Sequence, residues 1–152
     1  MAISKVRTSA GTTLSVSASA PATYDNTGFA ALSFTAVGEL VDLGSFGKKY
    51  NLVSFSPLGD RKVVKRKGSY NNGTLALKMG SAPTDAGQIA MQTGSTSDNS
   101  YSFKVQTQSG SIFYFSGQIM SWMLEVGSVD QIMGASCDVE LDNDVVTGVL
   151  VA

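Results

Sequence analysis

The sequence predicts a mainly β protein: an antiparallel β-sandwich or partly open barrel with one short flanking α-helix and long loops. Two observations predict this fold class. Runs of β-branched and aromatic residues with period-two alternation recur along the 152 residues, bounded by Gly, Asn, Asp and Ser. Helical periodicity with capping residues occurs in one segment, about residues 84–93. Because no linker or internal repeat interrupts the chain, we expect one domain spanning residues 1–152.

The predicted strands follow the alternating runs. Leu75, Leu77 and Met79 point to one side of their strand, which predicts a half-buried antiparallel strand. Residues 112–115 (IFYF) are apolar on both faces, which predicts either a central strand or a surface that a neighbour covers. The predicted strands are residues 3–8, 13–17, 30–37, 40–43, 50–56, 62–67, 73–79, 101–106, 112–123, 131–140 and 145–150.

Capping residues define the predicted helix. Thr84 or Asp85 can cap its start, Gln88 follows Asp85 at capping-box spacing, and Gly94 is a stop signal. Residues 18–28 are rich in Pro, Asn, Asp and Gly, and we expect a loop there.

Composition excludes several kinds of catalytic and metal site. The chain has no His and one cysteine, Cys137, so it cannot contain a Ser-His-Asp triad, a Cys/His zinc site or an intrachain disulfide. No local pair of acids marks a glycosidase site. No apolar run reaches 18 residues and no signal-peptide core is present, so we expect no membrane association and a cytoplasm-like compartment. We expect no enzymatic activity, no cofactor and no metal.

Charge is segregated along the chain although its formal sum is −1. Residues 48–67 carry seven Lys or Arg and one acid, whereas residues 125–152 carry six acids and no Lys or Arg. Asp138, Glu140 and Asp142 alternate and therefore share one strand face, while a calcium loop needs ligands that converge from a turn. The pattern predicts an acidic strand face exposed to solvent or to a partner.

The basic run of residues 61–67 (RKVVKRK) permits two interpretations. Clustered Lys and Arg bind phosphates, but single-strand binders usually interleave aromatic residues, and this run has none. As a strand it carries charge on both faces, with Lys62, Val64 and Arg66 opposite Arg61, Val63, Lys65 and Lys67. This arrangement predicts an edge strand or a projecting hairpin. A solvated edge and an interaction surface both remain open.

Five segments occur in order between about Val37 and the C-terminus: "KKYN…SPLGDR…KRKGS", the helix start "DAGQ", "YSFKV", "FYFSGQIMSW" and the turn "GSVD". On these segments the chain resembles the tail tube (major tail) proteins of bacteriophages with long, non-contractile tails. The resemblance implies a virion protein, assembled in the host bacterial cytoplasm, that forms hexameric rings. These rings stack into a tube through which DNA passes during ejection. It also implies an N-terminal arm at residues 1–12. Some members of that family carry a C-terminal decoration domain, and because this chain ends soon after Leu150 we expect none here.

The resemblance and the charge pattern together predict contact residues. The implied partners are further copies of the chain, the tape measure protein, the tail terminator and distal tail proteins, and DNA transiently in the lumen. Phe113, Phe115, Trp122 and Met123 are expected to supply apolar contact area. The predicted ring-contact residues are Arg61, Lys62, Lys65, Arg66, Lys67, Pro57, Leu58 and Asp60. The predicted lumen-facing acids are Asp138, Glu140, Asp142 and Asp144.

Two alternatives to the tube subunit remain. The first is another tail ring component on a related fold, such as a terminator or distal tail protein, which forms one ring and stops. The second is a nucleic-acid-binding β-barrel that uses the basic run.

Overall fold

The computed structural model describes residues 8–148. Its elements in chain order are β1 (Thr13–Ser17), α1 (Asn26–Ala30), β2 (Thr35–Val37), β3 (Leu40–Asp42), β4 (Lys49–Phe55), β5 (Val64–Asn71), β6 (Thr74–Gly80), α2 (Ala86–Ser95), β7 (Tyr101–Gln106), β8 (Ile112–Glu125), β9 (Gly134–Leu141) and β10 (Val146–Gly148). The expected mainly β, antiparallel class is confirmed, with two helices in the described chain where one was predicted. The predicted strand 3–8 lies outside the described residues except for Thr8, which is not in a strand.

Eight strands form one antiparallel sheet in the order β2-β1-β7-β8-β9-β6-β3, and β10 pairs with the first part of β8. The two edge strands, β2 and β3, are joined by only Gly38 and Glu39, so the sheet has to curl until its ends approach each other. Glu39 adopts a φ of 58°, and its carbonyl oxygen accepts a 2.8 Å hydrogen bond from the Gly80 amide. The result is a curled sheet that does not close into a barrel.

The inner face of the curled sheet encloses the main core. Alternate residues of β6, β7, β8 and β9 point into it, as the period-two pattern predicts, and Met91 of α2 is fully buried among them. Residues 112–115 lie in a strand with neighbours on both sides, so the central-strand interpretation is confirmed. Phe115 faces the main core, while Ile112 and Tyr114 pack with Phe29 in a smaller cluster on the opposite face.

The smaller cluster depends on a helix that the sequence analysis missed. Asp25 caps α1 by accepting a 2.8 Å hydrogen bond from the Gly28 amide, and Phe29 stacks on Tyr114 with ring centroids 5.2 Å apart. The predicted loop at 18–28 therefore ends in α1, and the predicted strand 30–37 begins only at Thr35. A five-residue helix has too few turns to display periodicity, so the burial of Phe29 is what fixes it.

Helix α2 confirms the helical prediction, displaced by two residues. Asp85 caps it, and its carboxylate accepts 3.0 Å bonds from the Gln88 and Gly38 amides. Gln88 is buried rather than part of an exposed capping box. Its amide nitrogen donates to the carbonyl oxygens of Gly38 and Gly80, and its Oε1 accepts from the Ala82 amide. The helix thus holds the connection between β2 and β3 against the end of β6.

Candidate subunit-contact surfaces

Strands β4 and β5 pair only with each other and form a two-stranded sheet separate from the main one. We call Lys49–Asn71 the β4–β5 hairpin. Every residue of β4 is exposed. The expectation that the basic run lies on an edge strand or a projecting hairpin therefore agrees with the topology. Because an isolated two-stranded hairpin is marginally stable in water, the exposed ribbon is a candidate contact surface.

A register shift between Tyr50 and Leu52 determines which side chains share a face of the hairpin. Tyr50 pairs with Tyr70, and Leu52 pairs with Lys67. The Lys67 ammonium lies 4.9 Å from the centroid of the Tyr50 ring. One face thus combines lysines with aromatic and aliphatic groups, although residues 61–67 contain no aromatic residue. The absence of interleaved aromatics, used above against nucleic-acid binding, holds for the run but not for the folded surface, because β4 supplies them.

All eight predicted ring-contact residues lie in the β4–β5 hairpin. Arg61 and Lys62 precede β5, which spans Val64–Asn71, so the strand begins two residues later and ends four residues later than the predicted 62–67. In the turn, the Asp60 carboxylate accepts a 3.2 Å bond from the Lys62 amide, and Leu58 is fully exposed. No carboxylate among residues 8–148 lies within ion-pair distance of Arg61, Lys62, Lys65, Arg66 or Lys67.

The predicted lumen-facing acids do not form one uniform surface. Asp138 is exposed on the outer face of β9, and Glu140, on the same face, accepts a 2.5 Å hydrogen bond from the Thr74 hydroxyl. Asp142 follows the end of β9 and accepts hydrogen bonds from the hydroxyls of Ser100 and Ser116. Asp144 forms an ion pair with Lys48 at 3.5 Å. Asp138 and Glu140 therefore share the predicted strand face. Asp142 and Asp144 lie beyond the end of β9 and contact Ser100, Ser116 and Lys48 instead.

A second exposed apolar surface, of which only Trp122 and Met123 were expected from the sequence to make contacts, lies where β8 passes into β9. We call residues 120–133 the β8–β9 tip. It contains two acids, Glu125 and Asp130, and no Lys or Arg. Its exposed large apolar residues are Met120, Met123, Leu124, Val126, Val129, Ile132 and Met133. The available sequence signal was a non-alternating apolar stretch, MLEVGSVDQIM, around a turn.

The apolar contact residues expected from the sequence are mostly core residues. Phe115 is fully buried, and Phe113 and Trp122 pack against the main core. Of the four, Met123 is the exposed one, at 64%. The reason is the central position of β8, which covers Phe113 and Phe115.

The groups suited to chemistry are few in the described chain. A cleft of about 480 Å³ opens between residues 9–12 and residues 40–46, and its one titratable residue, Asp42, accepts a 2.9 Å bond from the Gly44 amide. Burial, together with nearby Asp138, raises the pKa of the Cys137 thiol to about 12. Within residues 8–148, no three Cys, Asp or Glu residues are grouped so as to hold a metal ion. No helix in that range is long and apolar enough to cross a membrane.

Two solved structures share this fold over nearly the whole chain. One is a chain of the anti-feeding prophage (AFP) baseplate, solved by cryo-EM with 6-fold symmetrisation. It matches with a TM-score of 0.69 and 7% identity, covering 94% of this chain and 95% of the other. The second is a chain of the sheath/tube terminator of PVC, an extracellular contractile injection system, in its extended state. It matches with a TM-score of 0.62 and 10% identity, covering 97% and 100%. No family model and no curated protein matches the sequence.

Proposed function

We propose that this chain is a structural subunit of a phage-type tail, which assembles with copies of itself into a ring that other tail components contact. The observation that carries the proposal is the fold, shared end to end with chains of two tail-like assemblies. At sequence identities of 7% and 10%, the similarity supports a shared fold only. The proposed function is therefore argued from that fold together with the surfaces of this chain.

The surfaces support an assembling subunit for physical reasons. Apolar side chains cover the β4–β5 hairpin and the β8–β9 tip, and an exposed apolar patch of this kind usually marks a protein contact. The charges of the two surfaces have opposite sign, which suits a contact between different faces of successive copies. A ring is the closed form of such a heterologous contact.

Within this class, a single-ring component is better supported than the tube subunit. The similar chains come from a baseplate and from a sheath/tube terminator. The resemblance to non-contractile tail tubes concerns short segments, whereas the structural likeness concerns the whole fold. Six copies are the expected ring number, since the baseplate structure is 6-fold symmetrised. The partners are then copies of the chain and the adjoining tail proteins, with the tape measure protein and DNA in the channel.

Assembly state at increasing concentration tests the proposal. We expect sedimentation velocity and negative-stain microscopy of the purified chain to reveal rings of one size as concentration rises. Tubes whose length grows with concentration would favour the tube subunit instead. A chain that stays monomeric at millimolar concentration, and that no tail component recruits, would contradict both. In whole particles, the number of copies of this chain distinguishes the two functions: a single-ring component is present as one ring, whereas a tube subunit is present as many stacked rings.

A further inference from the structure

The exposed apolar residues of this protein are concentrated in two segments. Of the 16 large hydrophobic residues that are exposed among residues 8–148, all but Val41 and Ile89 lie in the β4–β5 hairpin or in the β8–β9 tip, with seven in each. The hairpin residues are Tyr50, Leu52, Val53, Phe55, Leu58, Val63 and Tyr70. Scattered single hydrophobics are ordinary on a protein surface, but two concentrations of this size are not.

The two surfaces carry opposite charge. The β4–β5 hairpin contains six Lys or Arg and one acid, Asp60, whereas the β8–β9 tip contains two acids and no Lys or Arg. Two copies of the hairpin would repel each other, as would two copies of the tip. Hairpin against tip brings apolar area and opposite charge together, so it is the pairing that charge favours.

Both surfaces have a defined shape before any contact forms. In the tip, the Gln131 side chain accepts a 3.1 Å bond from the Ser128 amide, and Gly127 takes a φ of 67° that a larger residue would strain to adopt. In the hairpin, the side-chain Nδ2 of Asn51 donates a 3.0 Å hydrogen bond to the Ser69 hydroxyl on the opposite strand. Ordered surfaces lose less conformational entropy on docking than flexible ones do.

We propose that the β4–β5 hairpin of one copy docks on the β8–β9 tip of the next copy, in a head-to-tail contact. This inference rests on the proposed function and names the surfaces that build its ring. The partner that binds the hairpin is a protein rather than a nucleic acid. The apolar side chains of Leu52, Val53 and Phe55 are more than half exposed, and an apolar protein surface can cover all three. Bases of a single strand could stack on Phe55, but a nucleic acid would leave the aliphatic side chains of Leu52 and Val53 without a matching apolar surface.

A complementation experiment tests the contact. One variant disables the hairpin (Leu52→Glu with Lys67→Glu), and another disables the tip (Val129→Asp with Ile132→Asp). Val129 and Ile132 are 98% and 92% exposed, so the tip changes leave the fold intact. We expect each variant alone to need at least about tenfold more protein to assemble, because each loses central apolar anchors. Mixed in equal amounts, they should form dimers and nothing larger, since one competent hairpin and one competent tip remain.

One control variant and two charge-reversal variants complete the test. Val41→Asp changes an exposed residue outside both surfaces and should assemble like the unmodified chain. Reversing Lys65, Arg66 and Lys67 to Glu makes the hairpin net negative and should weaken assembly. Adding Glu125→Lys with Asp130→Lys makes the tip positive and should restore assembly, because the two surfaces then carry opposite charge again.

The outcomes separate the inference from the proposed function. Normal assembly by the hairpin or tip variant, or a mixture that forms no dimer, overturns the inference and leaves the proposed function standing. An unmodified chain that stays monomeric at millimolar concentration, and that no tail component recruits, contradicts the proposed function and the inference together. A salt-sensitive DNA complex that the hairpin variant loses while still assembling would assign the hairpin to nucleic acid and overturn the inference.

Discussion

The Lys48 ammonium lies 3.5 Å from the Asp144 carboxylate and 4.2 Å from the centroid of the Tyr70 ring, next to the first residue of the β4–β5 hairpin. These contacts join the base of the hairpin to the segment between β9 and β10. Among residues 8–148, no ion pair holds the distal end of the hairpin, where Leu58 and Arg61 lie. The hairpin is therefore attached at one end and exposed at the other.

This attachment predicts graded hydrogen exchange in the free chain. We expect amides of Val53, Phe55 and Val64 to exchange faster than amides of β7, β8 and β9, because only the ladder of the hairpin protects them. In assembled rings the same amides should become protected. Exchange followed by mass spectrometry measures both states.

Lys48→Ala provides the matched control for this prediction. It removes the ion pair and the contact with Tyr70, so we expect faster exchange near Tyr70 and unchanged exchange in β8. Equal protection of hairpin and core in the free chain would contradict the prediction.

Gln88 is expected to stabilise the fold more than any exposed residue of α2. Gln88→Leu keeps the side-chain size but leaves the Gly38 and Gly80 carbonyl oxygens and the Ala82 amide without their partner. We expect a loss of about 2–4 kcal/mol in the free energy of unfolding, since buried unpaired polar groups cost about 1–3 kcal/mol each. Urea denaturation measures it. Gln92→Leu, on an exposed position of the same helix, should cost under about 0.5 kcal/mol, and equal losses for the two variants would refute the assigned role.

Gly87 tests whether close packing outweighs helix propensity. Alanine is favoured over glycine in a helix by about 1 kcal/mol. A Cβ at position 87, however, would lie 2.2 Å from the Ala36 carbonyl oxygen and 2.6 Å from the Val37 Cα. We expect Gly87→Ala to lower the melting temperature because backbone atoms of β2 cannot yield as a side chain can. Gln92→Ala is the control, and a melting temperature for Gly87→Ala at or above that of the unmodified chain would contradict the close approach.

Much of this fold was predictable from local pattern. The strands Thr13–Ser17 and Tyr101–Gln106 have the predicted bounds, and α2 follows its capping residue Asp85. Alternation and capping act over a few residues, so the sequence displays them directly. Helix α1 was not predictable this way. Phe29 is held by Tyr114, which is 85 positions further along the chain, a contact that no local window contains.

The candidate surfaces were predictable only in part. The charge run predicted an edge strand or a projecting hairpin, because charge on both strand faces prevents burial, and the structure has the hairpin. Only Trp122 and Met123 of the β8–β9 tip were predicted as contact residues, because exposed and buried apolar residues look alike in a sequence. Trp122 packs on the core, while the neighbouring Met123 is exposed. Likewise, the register shift that brings Tyr50 beside Lys67 depends on strand pairing.

The buried thiol of Cys137 predicts a loss of stability in alkali. Burial raises the pKa of Cys137 to about 12, so the folded state keeps its proton while the unfolded chain loses it above about pH 8.5. The contribution of the protonated Cys137 thiol to the free energy of unfolding is complete below about pH 8.5 and is lost as the pH rises toward 12. The expected slope is at most about 1.4 kcal/mol per pH unit. Burial also raises the pKa values of Tyr24 and Tyr114. Their hydroxyls therefore lower the free energy of unfolding further at still higher pH, where the unfolded chain loses these protons first.

Cys137→Ala isolates this contribution. Between pH 9 and pH 10 we expect urea denaturation to show a falling free energy of unfolding for the unmodified chain and a flatter dependence for the variant. The native thiol should also resist a disulfide reagent at pH 8 and react once the chain is unfolded, because the thiolate is the nucleophile. Rapid labelling of the native protein, or identical pH profiles for the two chains, would show that the thiol is accessible and that its pKa is not raised.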